Sequence, residues 1–409
     1  MMIAGFWRWI ALGLLMPLGS LSPIDSPPGR PEYSFQTVDS AVASGVIQGV
    51  YPGAVVIIGR STGILHSRGF GHLAPGSSSS VPNPDSTLFD LASLTKVVAT
   101  TSAAMLLVDR GRLNLDAPVR RYLPEFRRPE QRAITIRMLL NHTSGLRPSG
   151  AYFRRASSRK RAIALVLQEK PERAPGTSAV YSDINAILMG LVVERISGKT
   201  LNTFTRDELF TPLGMGATRF LPPAAWRGHI AASFERRGHP VSGTVQDMNA
   251  RVLGGIAGHA GLFATGADLA RFAEWWLAGG RGPDGNQLVA PGTMARFLEH
   301  QPGAGTRLLG WDSPDPAAEE PTLFGTLLSE GAYGHTGWTG TQIWVDPEQD
   351  LFVILLTNRS MNPDVYRSLR DLRAIRARVA DEAVIAIEPQ CFAHPGLSFR
   401  RIGTRGPAC

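Results

Sequence analysis

The sequence predicts an α/β chain of the α+β kind, with one antiparallel sheet built from both chain ends, flanking helices and an inserted, mainly helical lobe. Three observations predict it. Near the N-terminus two β-rich runs, 54–58 and 64–71, are joined by the short turn Gly59-Arg60-Ser61-Thr62-Gly63. Near the C-terminus, runs at 342–345 and 351–356 flank Asp346-Pro347-Glu348-Gln349-Asp350, a second hairpin signal. Between the two ends lie helical patterns, notably 183–196, closed by Gly198, and 267–277. The expected organisation is a signal peptide at 1–22, a sheet lobe from 33–92 and 325–388, a mainly helical lobe at 93–324 and a tail at 389–409.

In chain order, residues 1–8 carry one positive charge ahead of an apolar run at 9–18, the outline of a signal peptide too short to span a bilayer. A Pro-rich linker follows, then Val38, Ala41, Val42 and Val46 at helical spacing. The turn at Ser61 reads G-x-S-x-G, formally a nucleophile elbow. An elbow requires a helix directly after the serine, and here a strand follows, so the expectation is a plain hairpin turn. After the final strand pair, 365–387 reads as a long helix with arginines on one face.

At 409 residues and 43% hydrophobic the chain can bury a large core. Its net charge of +8 comes from scattered arginines without any nucleic-acid module, so no nucleic-acid partner is expected. Cys391 and Cys409 both lie in the tail and can pair if the chain is exported. Far from every histidine cluster, they do not form a metal set, and neither metal nor cofactor is expected.

The stretch around Phe89-Asp90-Leu91-Ala92-Ser93-Leu94-Thr95-Lys96 organises the chemistry. Residues three apart on a helix share a face, which brings the Ser93 hydroxyl beside the Lys96 amine, with Asp90 as a candidate N-cap. Serine is a poor nucleophile unless a base and oxyanion donors assist it. Lys96 serves as that base only if burial or a cationic neighbour lowers its pKa. A second S-x-x-K, at Ser157 to Lys160, sits in a basic run and reads as a solvated face. Tyr181 stands at a loop-to-helix junction; it is either packing or, facing Ser93, a group that takes the serine proton and returns it to the leaving group. Three glycines in the stretch from Gly334 to Gly340 imply close approach of another backbone or a ligand, as at a substrate-binding edge strand.

Ser93-Leu94-Thr95-Lys96, Tyr181-Ser182-Asp183 and His335-Thr336-Gly337, in this order, resemble the three signature elements of the serine β-lactamase and penicillin-recognising family. Within it, the chain is similar to the branch of class C β-lactamases, D-alanyl-D-alanine carboxypeptidases and esterases. The likeness takes in His142-Thr143-Ser144-Gly145-Leu146, the loop from Gly258 to Phe263 and Asp346-Pro347, and so covers roughly residues 36 to 388. It implies a β-lactamase/transpeptidase-like fold, Ser93 acylated, and Lys96 and Tyr181 moving its proton. Backbone N–H groups of Ser93 and Trp338 would form the oxyanion hole, with His335, Thr336 and Gly337 on the strand beside the cleft and His259 lining it.

Two positions depart from the family pattern: His335 stands where lysine is common and Asp183 where asparagine is common. Both make the site less positive, which disfavours β-lactam carboxylates, while Asp183 favours a charged Lys96 and shifts the base role toward Tyr181. A histidine with an ordinary pKa of about 6.5 would bind carboxylates better as the pH falls toward about 6. The implied function is an exported serine hydrolase acting on a small ester or a D-Ala-D-Ala-type cell-wall peptide, with no membrane span after leader removal. A silent penicillin-binding-like protein, a true class C-like β-lactamase and an anionic-polymer-binding protein are the alternatives.

Overall fold

The computed structural model describes residues 33–76, 79–315, 317 and 322–388. The expected leader and the two tail cysteines lie outside the described residues. All elements below belong to the unit that begins at Ser34. In chain order the strands are β1 (Gly53–Arg60), β2 (Gly63–Gly71), β3 (Phe89–Asp90), β4 (Arg219–Phe220), β5 (Phe234–Arg236), β6 (His239–Val241), β7 (Leu262–Ala264), β8 (Tyr333–Thr336), β9 (Gln342–Asp346) and β10 (Leu351–Thr357).

The main sheet is antiparallel with order β2-β1-β10-β9-β8, so the first and last parts of the chain meet at the β1–β10 pair, where Ile57 opposes Ile354. Its central strands are buried along nearly their whole length because both faces are covered. Val55, Ile57, Ile354 and Leu356 point into the core shared with the helical part. Gly266 opens the Gly266–Leu277 helix against that face: a Cβ there would stand 2.6 Å from Ile57 Cδ1. The Gln36–Ile47 and Ser368–Ile387 helices also pack on the sheet and on each other.

The Ser61 turn is a two-residue hairpin closed by the Arg60–Gly63 pair, with Ser61 exposed. Ser157 is exposed as well, beside the N-cap Ser158 of the Arg159–Val166 helix. Among the described residues no helix is long and apolar enough to cross a membrane.

β8 lies at the sheet edge, and the glycines in and after it answer to close packing by side chains and backbone. A Cβ on Gly337 would come within 2.6 Å of Leu91 O and 2.1 Å of Thr341 Oγ1. The loop after β8 is thereby pressed against the residues that precede Ser93. Thr339 Oγ1 donates to Asp90 O at 2.7 Å and Thr341 Oγ1 to Leu91 O at 3.0 Å. A second, small sheet, β3-β7-β4, holds the same segment from the other side.

Candidate active site

Ser93 follows β3 in a tight turn rather than inside a regular first helical turn. The N–H groups of Leu94, Thr95 and Lys96 each reach back three residues, and a π-helix at Lys96–Thr101 then leads into the buried Ser102–Asp109 helix. Asp90 is therefore not the N-cap. Its Oδ1 accepts from Ala92 N (3.0 Å) and its Oδ2 from Gln246 N (2.7 Å), so it ties the turn to the 245–250 segment. Burial outweighs these donors and pushes the Asp90 pKa up to about 6. Ala92 has φ of +47°, a conformation that non-glycine residues rarely adopt, and it stands directly before the serine.

Lys96 is buried, with its three ammonium protons directed to three acceptors: Ser93 Oγ at 3.0 Å, His259 O at 3.2 Å and Asp183 Oδ1 at 2.8 Å. Burial pulls its pKa down, but Asp183 and Tyr181 together outweigh that and raise it. The condition set for a lysine base, a lowered pKa, is thus not met. Lys96 is a fixed cation at the serine.

Tyr181 is half-buried and its ring is surrounded by basic groups. Lys96 Nζ lies 4.8 Å and Arg307 Cζ 5.0 Å from the ring centroid, with the His142 ring at 4.8 Å and the His335 ring at 5.8 Å. Ser182 begins the Asp183–Ser197 helix and is fixed twice: its N–H donates to His142 Nδ1 (3.1 Å) and its hydroxyl to Arg147 O (2.6 Å). That anchors the turn carrying Tyr181 and Asp183.

His335 is where the structure departs most from the sequence-based expectation. It is buried, Nδ1 donates to Thr336 O at 2.7 Å, and Nε2 has no partner among the described residues. Burial, followed by the charges of Arg307 and Lys96, pushes its pKa well below the ordinary histidine value. That direction runs against the gain of charge near about pH 6 that an ordinary histidine would show. Arg307, a position the sequence reading did not single out, stands in the same place, 5.0 Å from the Tyr181 ring. It comes from an irregular loop, is 24% exposed and is held by Asp312 at 3.3 Å. His142, another addition, has φ of +62°, and its pKa is likewise pushed well below the ordinary histidine value by burial and then by the Arg307 and Lys96 charges. Of the two, only His142 belonged to a motif already noted.

His259 is 1% exposed and its Nε2 lies 2.9 Å from Asp247 Oδ1. It touches Lys96 through its carbonyl, at 3.2 Å, and its ring is turned to Asp247. The His259 contacts and the Ala250 N–H, aided by Lys96, overcome burial and hold Asp247 down at about 2. Thr336 is half-buried, and Gly337 N donates to Thr341 O at 2.8 Å. Neither the N–H of Ser93 nor that of Trp338 has an acceptor among the described residues. No group of three or more His, Cys, Asp or Glu side chains among them has metal-binding geometry.

A sheet made from both chain ends, with Ser93 and Lys96 in a turn beside its edge strand, defines the fold of serine β-lactamases and penicillin-recognising proteins. The chain belongs to the Beta-lactamase family, whose sequence model matches residues 38–378. It is 31% identical to a protein of Escherichia coli (strain K12) provisionally named D-alanyl-D-alanine carboxypeptidase, over 68% of this chain and 70% of that one. It is 32% identical to the N-acetylmuramyl-L-alanine amidase of Bacillus subtilis (strain 168), over 80% and 82%. Among solved structures it resembles EstCE1, a hydrolase with promiscuous acyltransferase activity, with a TM-score of 0.67 at 22% identity over 84% of this chain and 98% of that one. At that identity the likeness shows the fold alone.

Proposed function

We propose that this protein is an exported serine hydrolase that forms an acyl-enzyme on Ser93 and cleaves an amide or ester next to a free carboxylate, such as a D-Ala-D-Ala-type cell-wall peptide. The observation that carries the reading is the buried Lys96 ammonium 3.0 Å from Ser93 Oγ, beside two uncommitted backbone N–H groups. The names of the Escherichia coli and Bacillus subtilis relatives support a cell-wall amide as substrate.

In this mechanism Ser93 Oγ attacks the scissile carbonyl carbon while its proton passes to the Tyr181 oxygen, whose negative charge the adjacent Lys96 ammonium balances. The carbonyl oxygen becomes an oxyanion held by the N–H groups of Ser93 and Trp338. When the tetrahedral species collapses, the bond to the leaving group breaks and Tyr181 returns its proton to the departing amine or alkoxide. Water then attacks the ester on Ser93, again giving its proton to Tyr181, and the acid product leaves as Ser93 is reprotonated. Lys96, engaged with Asp183 throughout, acts as an electrostatic group and not as the base.

Intact-mass measurement after incubation with penicillin and with a fluorophosphonate tests the reading. Adducts on Ser93 from both reagents are expected; an adduct from the phosphonate alone would favour an esterase, and none from either would overturn the acyl-enzyme. Exported material should begin after about residue 22 on N-terminal sequencing.

Arg307 is the carboxylate anchor in this reading, because its guanidinium stands 5.0 Å from the Tyr181 ring and offers planar, forked donors to a carboxylate, while Lys96 is engaged with Asp183. Arg307→Gln is expected to raise KM for a carboxylate-bearing peptide by about tenfold. A full charge-assisted hydrogen bond contributes about 1.5–3 kcal/mol, less here because solvent and Asp312 share the guanidinium. KM for a neutral ester should change by less than about twofold, which separates binding of the carboxylate from damage to the site.

The same arrangement sets the expected pH behaviour. Arg307, Lys96 and Arg376 all disfavour a charge on His335, which is already buried. KM for the carboxylate peptide should therefore stay flat between about pH 8.5 and about pH 5.5, since in this reading an arginine and not a histidine holds the carboxylate. A steep fall in KM on acidification, absent for the neutral ester, would return the carboxylate to His335.

A further inference from the structure

Two buried arginines that have no carboxylate partner among the described residues are gathered behind the peptide that presents the Trp338 N–H. Arg359 is 0% exposed and Arg376 is 3% exposed. Each guanidinium is directed at carbonyl oxygens of the loop after β8. Arg376 Nη2 donates to Gly337 O at 3.0 Å and to Thr341 O at 2.8 Å. Arg359 donates to Trp338 O through Nε at 3.2 Å and through Nη2. No acidic group among the described residues offsets their burial, which pushes the two pKa values down to about 10 and about 9.

Keeping unpaired cations in the interior is unfavourable, and neutral donors would satisfy the same carbonyls without that cost. What a guanidinium adds is a fixed positive potential. The Gly337 carbonyl and the Trp338 N–H are two ends of one planar peptide group. A cation bonded to the oxygen draws electron density toward it, strengthens the N–H as a donor and stops the plane from turning. Gly340 N, donating to the same oxygen at 3.0 Å, and the threonine contacts to Asp90 O and Leu91 O fix the plane relative to Ser93.

We infer that Arg376, backed by Arg359, is a positioning residue for the oxyanion, holding and polarising the 337–338 peptide so that the Trp338 N–H meets the charge that develops on the substrate carbonyl. The inference rests on the Ser93 acyl-enzyme reading. It differs from a structural clamp in depending on charge as well as on hydrogen bonding. It also gives the long C-terminal helix a part in the chemistry, through an arginine that faces inward.

The test compares Arg376→Lys, Arg376→Gln and Arg376→Met in the full chain, using p-nitrophenyl acetate turnover, thermal melting and inhibition by a phenylboronic acid, which forms a tetrahedral adduct on the serine. Lysine keeps the charge and should retain kcat within about threefold. Glutamine keeps a donor without the charge and should lose roughly tenfold to hundredfold in kcat, short of the roughly 10²–10³ for removing a donor outright, with KM nearly unchanged. The boronate Ki should rise by the same factor, whatever the melting temperature does. Equal kcat in folded Arg376→Lys and Arg376→Gln proteins, or losses that track melting temperature alone, would overturn the inference. Should Arg376→Gln not fold, Arg359→Lys against Arg359→Gln makes the same comparison with the same expected order. Wild-type kcat in Arg376→Gln, in an enzyme that Ser93→Ala silences, sinks this inference only; turnover surviving Ser93→Ala sinks the acyl-enzyme reading itself.

Discussion

Ser93→Ala is expected to lower turnover of p-nitrophenyl acetate by at least about 10³-fold, because the acyl group forms on its hydroxyl in this reading. Ser61→Ala and Ser157→Ala should remain close to wild type. Both serines match a nucleophile pattern in sequence, yet both are exposed, and neither has a buried cation at its hydroxyl. The contrast is informative because Ser61 donates its backbone N–H to Asp350 in an ordinary hairpin, at 2.9 Å. Loss of activity in Ser61→Ala, with Ser93→Ala unaffected, would reverse the assignment of the nucleophile. Melting curves of all three proteins should agree closely, since the Ser93 hydroxyl contributes one hydrogen bond at a partly accessible position.

Lys96→Met should fail in two separable ways. Activity is expected to fall by about 10²–10⁴-fold, as the group that balances the proton carrier and orients Ser93 is gone. Stability should fall as well, by about 1–3 kcal/mol, because Asp183 loses its partner while remaining partly buried, at 24% side-chain exposure. Adding Asp183→Asn removes the uncompensated charge. The double variant Lys96→Met/Asp183→Asn is expected to recover most of the melting temperature and none of the turnover. Recovery of both would mean that Lys96 serves the fold alone, and recovery of neither would mean that the carboxylate is not what destabilises the single variant.

The parts of this protein that were legible in the sequence are those set by local geometry. A spacing of three places Ser93 and Lys96 on one face of a turn, whatever surrounds them, and their side chains meet at 3.0 Å. β-rich runs and turn residues identified both hairpins, and glycine at 334, 337 and 340 announced a close approach, which came from the side chains of Trp344, Thr341 and Thr357 and, at Gly337, also from the Leu91 carbonyl. The wide separation of Ser93, Tyr181 and His335 concealed nothing, because each lies at an element end that its own neighbours specify.

Direction and burial were decided only by tertiary packing. Whether His335 is charged depends on Arg307 and Lys96, which approach from other segments, and on burial that periodicity does not report for an edge strand. Arg307 sits in an irregular loop with no pattern to mark it, and it reaches Tyr181 across more than one hundred residues of chain. The arginines of the last helix read only as lying on one face, and the sequence did not show that Arg376 turns inward to the Gly337 carbonyl. Composition along a chain reveals which residues can carry charge. Which charges meet, and how far water is kept from them, is fixed by contacts between distant segments, and the energy of a charge depends mainly on those two quantities.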